Sequence, residues 1–286
     1  MITLNNSQIT ASISPSGAEL QSLRANGVEY LWQADSRWWG KHSPVLFPIV
    51  GSLVNNTYIH NEQAYTMGRH GFARNRVFGA EQISDSEAVF TLESNDDSMQ
   101  FYPFPFRFSL RYQIEYNSLY CTYQVENTGS AVLLFSVGAH PAFNVPLVAG
   151  TLYTDHYLQF EACEPMNRWK LKDGLLTHVQ ETVPTFMGRI KLEPELFYED
   201  ALVFRHLQSA SVTLASTTHK HGIKYSFPGF PFLGIWAAKD APFVCIEPWC
   251  GHADFAGHNQ LLDEKAGTIN LAPGLDWRRT WQVELF

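Results

Sequence analysis

The clearest pattern of apolar and polar positions begins at residue 106. From 106 to 116 every second residue is apolar or aromatic, and the residues between them are Arg, Ser, Gln and Glu. A period of two is typical of a strand with one buried face. The alternation resumes from 119 to 125 after Asn-Ser and stops at Asn-Thr-Gly. The two runs therefore predict a β-hairpin.

Shorter apolar runs of strand length recur along the chain, at residues 9–13, 88–92, 133–137, 201–204, 211–215, 232–236, 243–246 and 280–285. Gly, Pro, Asn and Asp separate them at short intervals, and only 194–198 suggests a helical stripe. This pattern predicts an all-β fold, either a large antiparallel β-sandwich or a barrel-like stack. Because no linker or change in composition divides the sequence, we expect one domain over residues 1–286.

Composition and charge exclude several classes of partner. With 45% hydrophobic and 17% charged residues, the 286-residue chain can bury a large core. The net charge is -8. No block of Lys or Arg could neutralise a run of phosphates, so we expect neither nucleic acid nor an acidic membrane as a partner. The N-terminal sequence resembles no secretion signal, and no apolar stretch approaches the roughly 20 residues of a membrane helix. We therefore expect a cytoplasmic protein.

Cysteine and glycine spacing argue against disulfides and nucleotides. The four cysteines form no CxxC pair, and they are too few for a disulfide scaffold in a chain of this length. The sequence contains neither GxGxxG nor GxxxxGK[ST]. We therefore expect no nucleotide cofactor. The aromatic content of 14% favours strands, and it also fits a site that stacks flat rings against sugars.

Two charged residues share an unusual local context. His140 closes the apolar run AVLLFSVGA and precedes Pro141, and Glu247 closes PFVCI and precedes Pro248. A residue before proline favours extended backbone, and proline cannot continue a central ladder. We therefore expect each side chain at the end of a buried strand. On the second strand, Glu247 shares the face of Phe243 and Cys245, which is otherwise apolar.

Two explanations of this Glu and His remain open at this point. An apolar environment raises the pKa of a carboxyl group and makes its carboxylate a better base, with a histidine nearby as the acid. Alternatively, both side chains are hydrogen-bonded structural groups, as most buried polar groups are.

Two other segments carry candidate binding residues. In residues 68–76, GRHGFARNR, glycines flank a histidine among three arginines, a composition frequent in loops that bind oxygen-rich ligands. A solvated turn would have the same composition. Asp200 directly precedes an apolar strand and by itself resembles an ordinary turn residue.

Metal binding and serine hydrolysis find less support. His252, Asp254 and His258 lie close together in GHADFAGHNQ, which has the composition of a surface loop, and His219 and His221 would share one strand face. No thiolate pair or HExxH motif accompanies them, so we expect no metal site. The absence of a GxSxG motif argues against a serine hydrolase.

Six blocks together resemble the galactose mutarotase-like (aldose 1-epimerase) superfamily, most closely its LacX-like bacterial branch. In family order, the blocks are YLWQADSRWWGKHSPVLFPIVG (30–51), GRHGFARNRVF (68–78), FYPFPFRFSLRYQI (101–114), SVGAHPAFNVPL (136–147), EDALVF (199–204) and FLGIWAAKDAPFVCIEPWCGHAD (232–254). The resemblance implies a large antiparallel β-sandwich with a carbohydrate cleft. It also implies interconversion of the α and β anomers of a hexose or related sugar without a cofactor.

The resemblance also implies roles for individual residues. Glu247 corresponds to the general base and His140 to the general acid. His70 and Asp200 correspond to residues that hydrogen-bond the sugar, and Arg74 to the arginine of the HGFAR motif, which contacts a hydroxyl or a phosphate. Trp236 and Phe143 are the candidates for stacking on the apolar face of the sugar, although core packing explains both equally well.

One departure from the family pattern bears on activity. Many relatives carry an arginine after LFPIVG, where this chain has Ser52. Losing a guanidinium removes a bidentate clamp on the substrate. A non-catalytic sugar-binding or sensor protein on the same fold is therefore the main alternative, and a metal-dependent cupin-like enzyme is a third. In each case we expect a monomer or a homodimer.

Overall fold

The computed structural model describes all residues from 1 to 286, and strands dominate it. The first twelve strands are β1 (Ile2–Asn5), β2 (Ile9–Ser14), β3 (Glu19–Ala25), β4 (Val28–Glu29), β5 (Val45–Leu46), β6 (Thr57–His60), β7 (Gln63–Thr66), β8 (Gly79–Ser84), β9 (Glu87–Glu93), β10 (Phe106–Glu115), β11 (Ser118–Asn127) and β12 (Leu133–Phe135). The next seven are β13 (Val137–Ala139), β14 (Ala142–Asn144), β15 (His156–Phe160), β16 (Asn167–Lys172), β17 (Leu175–Thr182), β18 (Arg189–Lys191) and β19 (Leu202–Arg205). The last six are β20 (Ser211–Ser216), β21 (Ile223–Ser226), β22 (Phe232–Trp236), β23 (Phe243–Cys250), β24 (Ile269–Leu271) and β25 (Asp276–Leu285).

Helical structure is limited to short turns. One α-helix, α1, covers Asp96–Met99, and five 3₁₀ turns cover Val54–Asn56, Ala73–Asn75, Tyr153–Asp155, Pro194–Phe197 and Leu262–Glu264. The turn at Pro194–Phe197 accounts for the helical stripe expected there. None of these helices has both the length and the apolar character needed to span a bilayer.

Two large antiparallel sheets form the body of the fold. One has nine strands in the order β18-β15-β20-β21-β25-β11-β10-β9-β8, and the other has the order β17-β16-β19-β22-β23-β13-β5, with β14 also pairing with β23. Smaller sheets are formed by β1 to β4, by β6 with β7 and by β12 with β24. The prediction of an all-β antiparallel sandwich is therefore confirmed.

The predicted hairpin is the longest pairing in the fold. Strands β10 and β11 pair over their full lengths, from Phe106 with Asn127 to Glu115 with Ser118. The apolar residues of β10 are buried and the polar ones between them are half-buried or exposed, as the period of two predicts. The predicted strand at 133–137 differs, because Ser136 donates its N–H to Pro48 and divides the run between β12 and β13.

Aromatic side chains fill the space between the two large sheets. Phe160 on β15 packs against Phe204 on β19, with ring centroids 6.4 Å apart. Phe47, next to β5, stacks on Phe108 of β10 at 4.5 Å. A core cluster of 71 buried residues includes both pairs. Burial of aromatic surface on this scale explains the 14% aromatic content, and it leaves the opposite face of the eight-stranded sheet to form a site.

Candidate active site

A cavity of about 300 Å³ opens on the eight-stranded sheet. Its lining includes six of the seven residues that the sequence indicated: His70, Arg74, His140, Asp200, Trp236 and Glu247. They come from four separate parts of the chain. The volume is within the range of small-molecule sites.

Glu247 reaches the cavity from the middle of β23, which corrects one expectation. The strand does not end at Pro248 but continues to Cys250, with Pro248 opposite Leu233 of β22. Glu247 therefore has a paired neighbour on each side in sequence and is only 2% exposed. His140 does end a strand, because it follows β13 directly and Pro141 separates it from β14.

The two side chains meet at the closed end of the cavity. His140 Nε2 lies 3.3 Å from Glu247 Oε2. Neither His140 Nδ1 nor Glu247 Oε2 has a protein hydrogen-bond partner. Such buried, unsatisfied atoms are uncommon, since a buried polar group without a partner is costly. The pair thus retains hydrogen-bonding capacity for a ligand.

Burial shifts the two pKa values in opposite directions. It raises the pKa of Glu247 well above 4.5, and the positive charge of Arg69 partly offsets this effect. Burial, helped by the positive charges of Arg69 and Arg74, lowers the pKa of His140 to about 3. A carboxylate with a raised pKa is a stronger base, and an imidazolium with a lowered pKa is a stronger acid.

Aromatic rings hold the His140 ring in place. Trp39 stacks on it with a centroid distance of 4.9 Å and an interplanar angle of 23°. Trp236 meets the same ring edge-on at 5.9 Å. Both indoles line the cavity, so they limit the rotation of His140 and cover apolar area at the same time.

The floor of the cavity includes the indole of Trp249, which lies across three strands. A Cβ on Gly138 of β13 would lie 2.5 Å from Trp249 Cδ1, and a Cβ on Gly234 of β22 would lie 2.4 Å from the far edge of the ring. The ring can lie flat on the sheet only because both neighbours are glycine. It offers a flat face beside Glu247.

Two hydrogen bonds to Gly51 fix the position and the tautomer of His70. The backbone N–H of His70 donates to Gly51 O at 2.9 Å, and the ring Nδ1 of His70 accepts the Gly51 N–H at 3.1 Å. In the neutral ring the proton is therefore on Nε2, which makes that nitrogen a donor. His70 has a φ of 69°, and a Cβ on the next residue, Gly71, would lie 2.2 Å from Phe47 O. The glycine lets the backbone approach so closely.

Asp200 and Arg74 complete the polar wall. Asp200 Oδ1 accepts the Ala201 N–H at 2.7 Å, and its negative charge contributes to the raised pKa of Glu247. The Nη2 of Arg74 donates to Arg69 O at 2.8 Å. Burial and the neighbouring charge of Arg69 lower the pKa of Arg74.

The structure places Phe143 elsewhere. It is 1% exposed, lies on β14 and packs its ring against Tyr225 of the nine-stranded sheet at 5.8 Å. It lies in the core between the sheets and does not line the cavity. The core-packing explanation is the one that fits Phe143.

Only part of the segment 251–260 is the surface loop that its composition suggested, because residues 251–254 are buried and residues 255–260 are half-buried or exposed. His252 and Asp254 are each 2% exposed, and Lys265 donates to Asp254 Oδ1 at 2.8 Å and to His252 O at 2.7 Å. Asp254 Oδ2 also accepts the Val54 N–H at 2.9 Å. Of the three residues considered as metal ligands, His252 lines the cavity, and Asp254 pairs with Lys265 and lies 3.6 Å, Oδ2 to Nδ1, from His258.

His219 and His221 do not share a strand face either. They lie between β20 and β21, with ring centroids 6.1 Å apart. His219 contacts His156, Nε2 to Nε2, at 3.2 Å. Three potential metal ligands converge elsewhere, at His140, Cys245 and Glu247, whose ligand atoms lie within 4.8 Å of one another. The expectation of no metal at this site stays a prediction.

Two indoles and one guanidinium of the site were not singled out from the sequence. Arg69, Trp39 and Trp249 all line the cavity. Trp249 continues the alternation of Cys245 and Glu247 on one face of β23. It could have been found by extending the period of two beyond Pro248.

The fold and site are those of a large antiparallel β-sandwich with a cavity lined by acidic residues and histidines. The family model of aldose 1-epimerase matches residues 1–283. The chain belongs to the aldose 1-epimerase family, which confirms the resemblance drawn from the six sequence blocks.

Individual relatives agree with this assignment. Protein LacX, plasmid, from Lactococcus lactis subsp. lactis is 33% identical over 284 residues, which is 95% of each chain. A galactose mutarotase related enzyme from Lactobacillus acidophilus has a TM-score of 0.96 and 34% identity, over 100% of this chain and 97% of that one. A galactose mutarotase-like protein from Lactobacillus casei ATCC 334 has a TM-score of 0.95 and 33% identity over the whole of both chains.

Proposed function

We propose that this protein is an aldose 1-epimerase, which interconverts the α and β anomers of a hexose or related sugar. The observation that carries the proposal is the contact between Glu247 and His140 at the closed end of the cavity, 3.3 Å from Oε2 to Nε2. The hydroxyl oxygen on C1 and the ring oxygen are bonded to the same carbon. A base for one and an acid for the other must therefore lie close together.

Ring opening follows from this arrangement. Glu247 takes the proton from the hydroxyl group on C1, and the electron pair of that O–H bond forms the carbonyl of the aldehyde. The bond from C1 to the ring oxygen breaks, and its electrons go to the ring oxygen, which takes a proton from His140.

Ring closure reverses both proton transfers. Rotation about the C1–C2 bond presents the other face of the aldehyde to the hydroxyl group that was the ring oxygen. His140 now acts as the base and Glu247 as the acid, so the second anomer leaves with the pair in its original protonation state. Atoms and charge balance without an oxidant, reductant or cofactor.

The remaining residues would bind the sugar. His70 donates from Nε2, Asp200 accepts from hydroxyl groups, and Arg74 donates to an oxygen. Trp236 and Trp249 cover the apolar face of the ring. These roles rest on the lining of the cavity and on the hydrogen bonds that fix each side chain.

Polarimetry on freshly dissolved α-glucose and α-galactose tests the proposal. We expect the approach to anomeric equilibrium to be faster with protein than in buffer alone, and to depend linearly on protein concentration. No acceleration for any aldose offered would reject the epimerase function.

The second candidate is a sugar-binding protein without turnover, which the presence of Ser52 favours. Calorimetry separates the two functions. Saturable binding of a sugar together with anomer exchange at the buffer rate would select the binding protein.

A further inference from the structure

Arg69 lies at the open end of the same cavity. It is exposed, whereas Glu247, His140 and His70 at the closed end are each less than 10% exposed. The residue precedes His70, whose backbone N–H donates to Gly51 O and whose side-chain Nδ1 accepts the Gly51 N–H. The base of the Arg69 side chain is therefore fixed, although its tip faces solvent.

The guanidinium of Arg69 is unlike every other one in the chain. Seven of the twelve arginines have a carboxylate partner within 4.0 Å. Arg189, Arg205 and Arg279 lie over aromatic rings, and Arg74 donates to the carbonyl of Arg69. The Arg69 side chain has no hydrogen bond, no ion pair and no stacked ring. Its five donors are all available.

The position of Arg69 also brings its charge to the reacting groups. The charge of Arg69 acts on the pKa values of Glu247, His140 and His70. Its Nη1 lies 3.9 Å from the position of a Cβ on Gly174, and Ser52 Oγ lies 3.1 Å from the same point. A guanidinium therefore stands close to Ser52, the position at which the chain lacks one.

We infer that Arg69 is a substrate-binding residue that clamps a pair of oxygens on the sugar, at the end of the molecule remote from C1. The inference rests on the proposed function, because that function places C1 of the sugar between Glu247 and His140. A planar guanidinium donates two parallel hydrogen bonds, which suits two neighbouring hydroxyl groups or two oxygens of an anionic substituent.

The test compares Arg69→Ala and Arg69→Lys with the wild-type protein. Glucose, galactose and glucose 6-phosphate are the probes, binding is measured by calorimetry, and anomer exchange is measured by NMR. Because hydrogen bonds to a charged group are lost, we expect Arg69→Ala to weaken binding about tenfold to a hundredfold. Lysine keeps the positive charge but cannot donate two parallel hydrogen bonds, so Arg69→Lys should recover only part of the affinity.

The probes distinguish the two kinds of oxygen pair. A larger loss for glucose 6-phosphate than for glucose would identify the phosphate as the partner, and equal losses would identify hydroxyl groups. Arg278→Ala is the control, since Arg278 is 61% exposed, pairs with Asp276 and does not line the cavity. It should bind and turn over as the wild type does.

A second readout separates binding from a structural role. Removing the positive charge should move the alkaline limb of the pH profile to higher pH, because the charge of Arg69 stabilises the ionised form of Glu247. Arg69→Lys keeps the charge and should leave the limb near that of the wild type, whereas a general structural disturbance would affect the Lys and Ala variants alike.

Each outcome bears on the inference. If Arg69→Ala binds every probe within twofold of wild type, the inference is wrong even if turnover is catalysed. If the wild type binds a probe without catalysing exchange, the epimerase function is rejected. The binding affinities of the Arg69 variants still show whether Arg69 binds the sugar. If no probe binds to the wild type, both are rejected.

Discussion

Trp249 and Gly234 define how the floor of the cavity is built. The far edge of the Trp249 indole occupies the space where any side chain on Gly234 would begin, with 2.4 Å from an added Cβ to the ring. The two residues lie on neighbouring strands, β22 and β23. The indole is therefore held flat by the absence of a side chain beneath it, and the site depends on a glycine that does not itself line the cavity.

Gly234→Ala should lift this indole and damage the site. Forcing a methyl group into a packed site costs about 1–3 kcal/mol of unfolding free energy. We also expect a higher KM, because the flat face of Trp249 is displaced. Chemical denaturation and anomer-exchange kinetics measure the two effects.

Gly40→Ala is the matched control. Nothing lies within 4 Å of a Cβ at Gly40, and its φ is not positive. Its stability should stay within about 0.5 kcal/mol of the wild type. If Gly234→Ala matches Gly40→Ala in both stability and KM, the indole does not depend on the glycine.

His70→Asn should separate the folding role of His70 from its binding role. The Asn side-chain oxygen can accept the Gly51 N–H in place of Nδ1, and Asn tolerates the positive φ of 69° better than most residues. The variant lacks the Nε2 donor. We therefore expect near-native stability with a KM raised about tenfold.

His70→Ala removes both functions of the ring. The Gly51 N–H then loses its acceptor, which costs about 1–3 kcal/mol. Thermal or chemical unfolding should rank the proteins wild type, Asn, Ala. Equal stability of the Asn and Ala variants would show that the bond to Gly51 does not matter.

Lys265→Met should destabilise the protein strongly. The side chains of Lys265 and Asp254 are 2% and 1% exposed, and Asp254 Oδ2 also accepts a hydrogen bond from the Val54 N–H. Breaking a buried ion pair leaves an uncompensated charge and costs about 3–5 kcal/mol. Urea denaturation measures the change.

An exposed ion pair provides the comparison. Lys191 and Glu193 are 63% and 50% exposed, and such a pair contributes about 0–1 kcal/mol. Lys191→Met should therefore have little effect. A loss below 1 kcal/mol for Lys265→Met would mean that Asp254 is neutralised in another way.

The pH dependence of activity follows from the two shifted pKa values. Below the lowered pKa of His140, about 3, both members of the pair are protonated, and above the raised pKa of Glu247 both have lost their protons. The reaction needs one proton on the pair, carried by His140 when Glu247 acts as the base. Because the two shifts favour that proton on Glu247, the reactive form is the minor one of the two one-proton forms, and both forms exist only between the two pKa values. Activity should therefore persist well below pH 6.5 and fall as the pH rises through the raised pKa of Glu247.

Exchange rates measured from acid to alkaline pH, corrected for buffer catalysis, check this expectation. Activity that increases with pH through neutrality would contradict the account, since it would require a pair without a proton.

The local pattern of the sequence predicts the strands and much of the site. The period of two between 106 and 125 predicts the hairpin because one face of each strand is buried. The apolar runs before His140 and Glu247 indicate two titratable groups on or directly after buried strands. The convergence of these two groups depends on the pairing of β13 with β23, which is a long-range contact with no local signal.

Other features lay beyond local rules. Proline predicts the end of a strand, but Pro248 is accommodated opposite Leu233, so β23 continues through it. The glycines and polar residues around Asp254 indicate a surface loop, yet residues 251–254 are buried, and Lys265 pairs with Asp254 from 11 residues further along the chain. Phe143 could not be assigned to core or cavity by residue type, because aromatic residues suit both.

The central claim is that Glu247 and His140 exchange protons with a bound sugar, and Glu247→Gln tests it most directly. Gln nearly preserves the shape of the side chain but has no carboxylate to accept a proton. In an NMR magnetisation-transfer measurement of α and β exchange, we expect the wild type to exceed the buffer rate and Glu247→Gln to lose about 10²- to 10⁴-fold of the catalysed rate, with stability retained. A Glu247→Gln rate equal to that of the wild type would contradict the account.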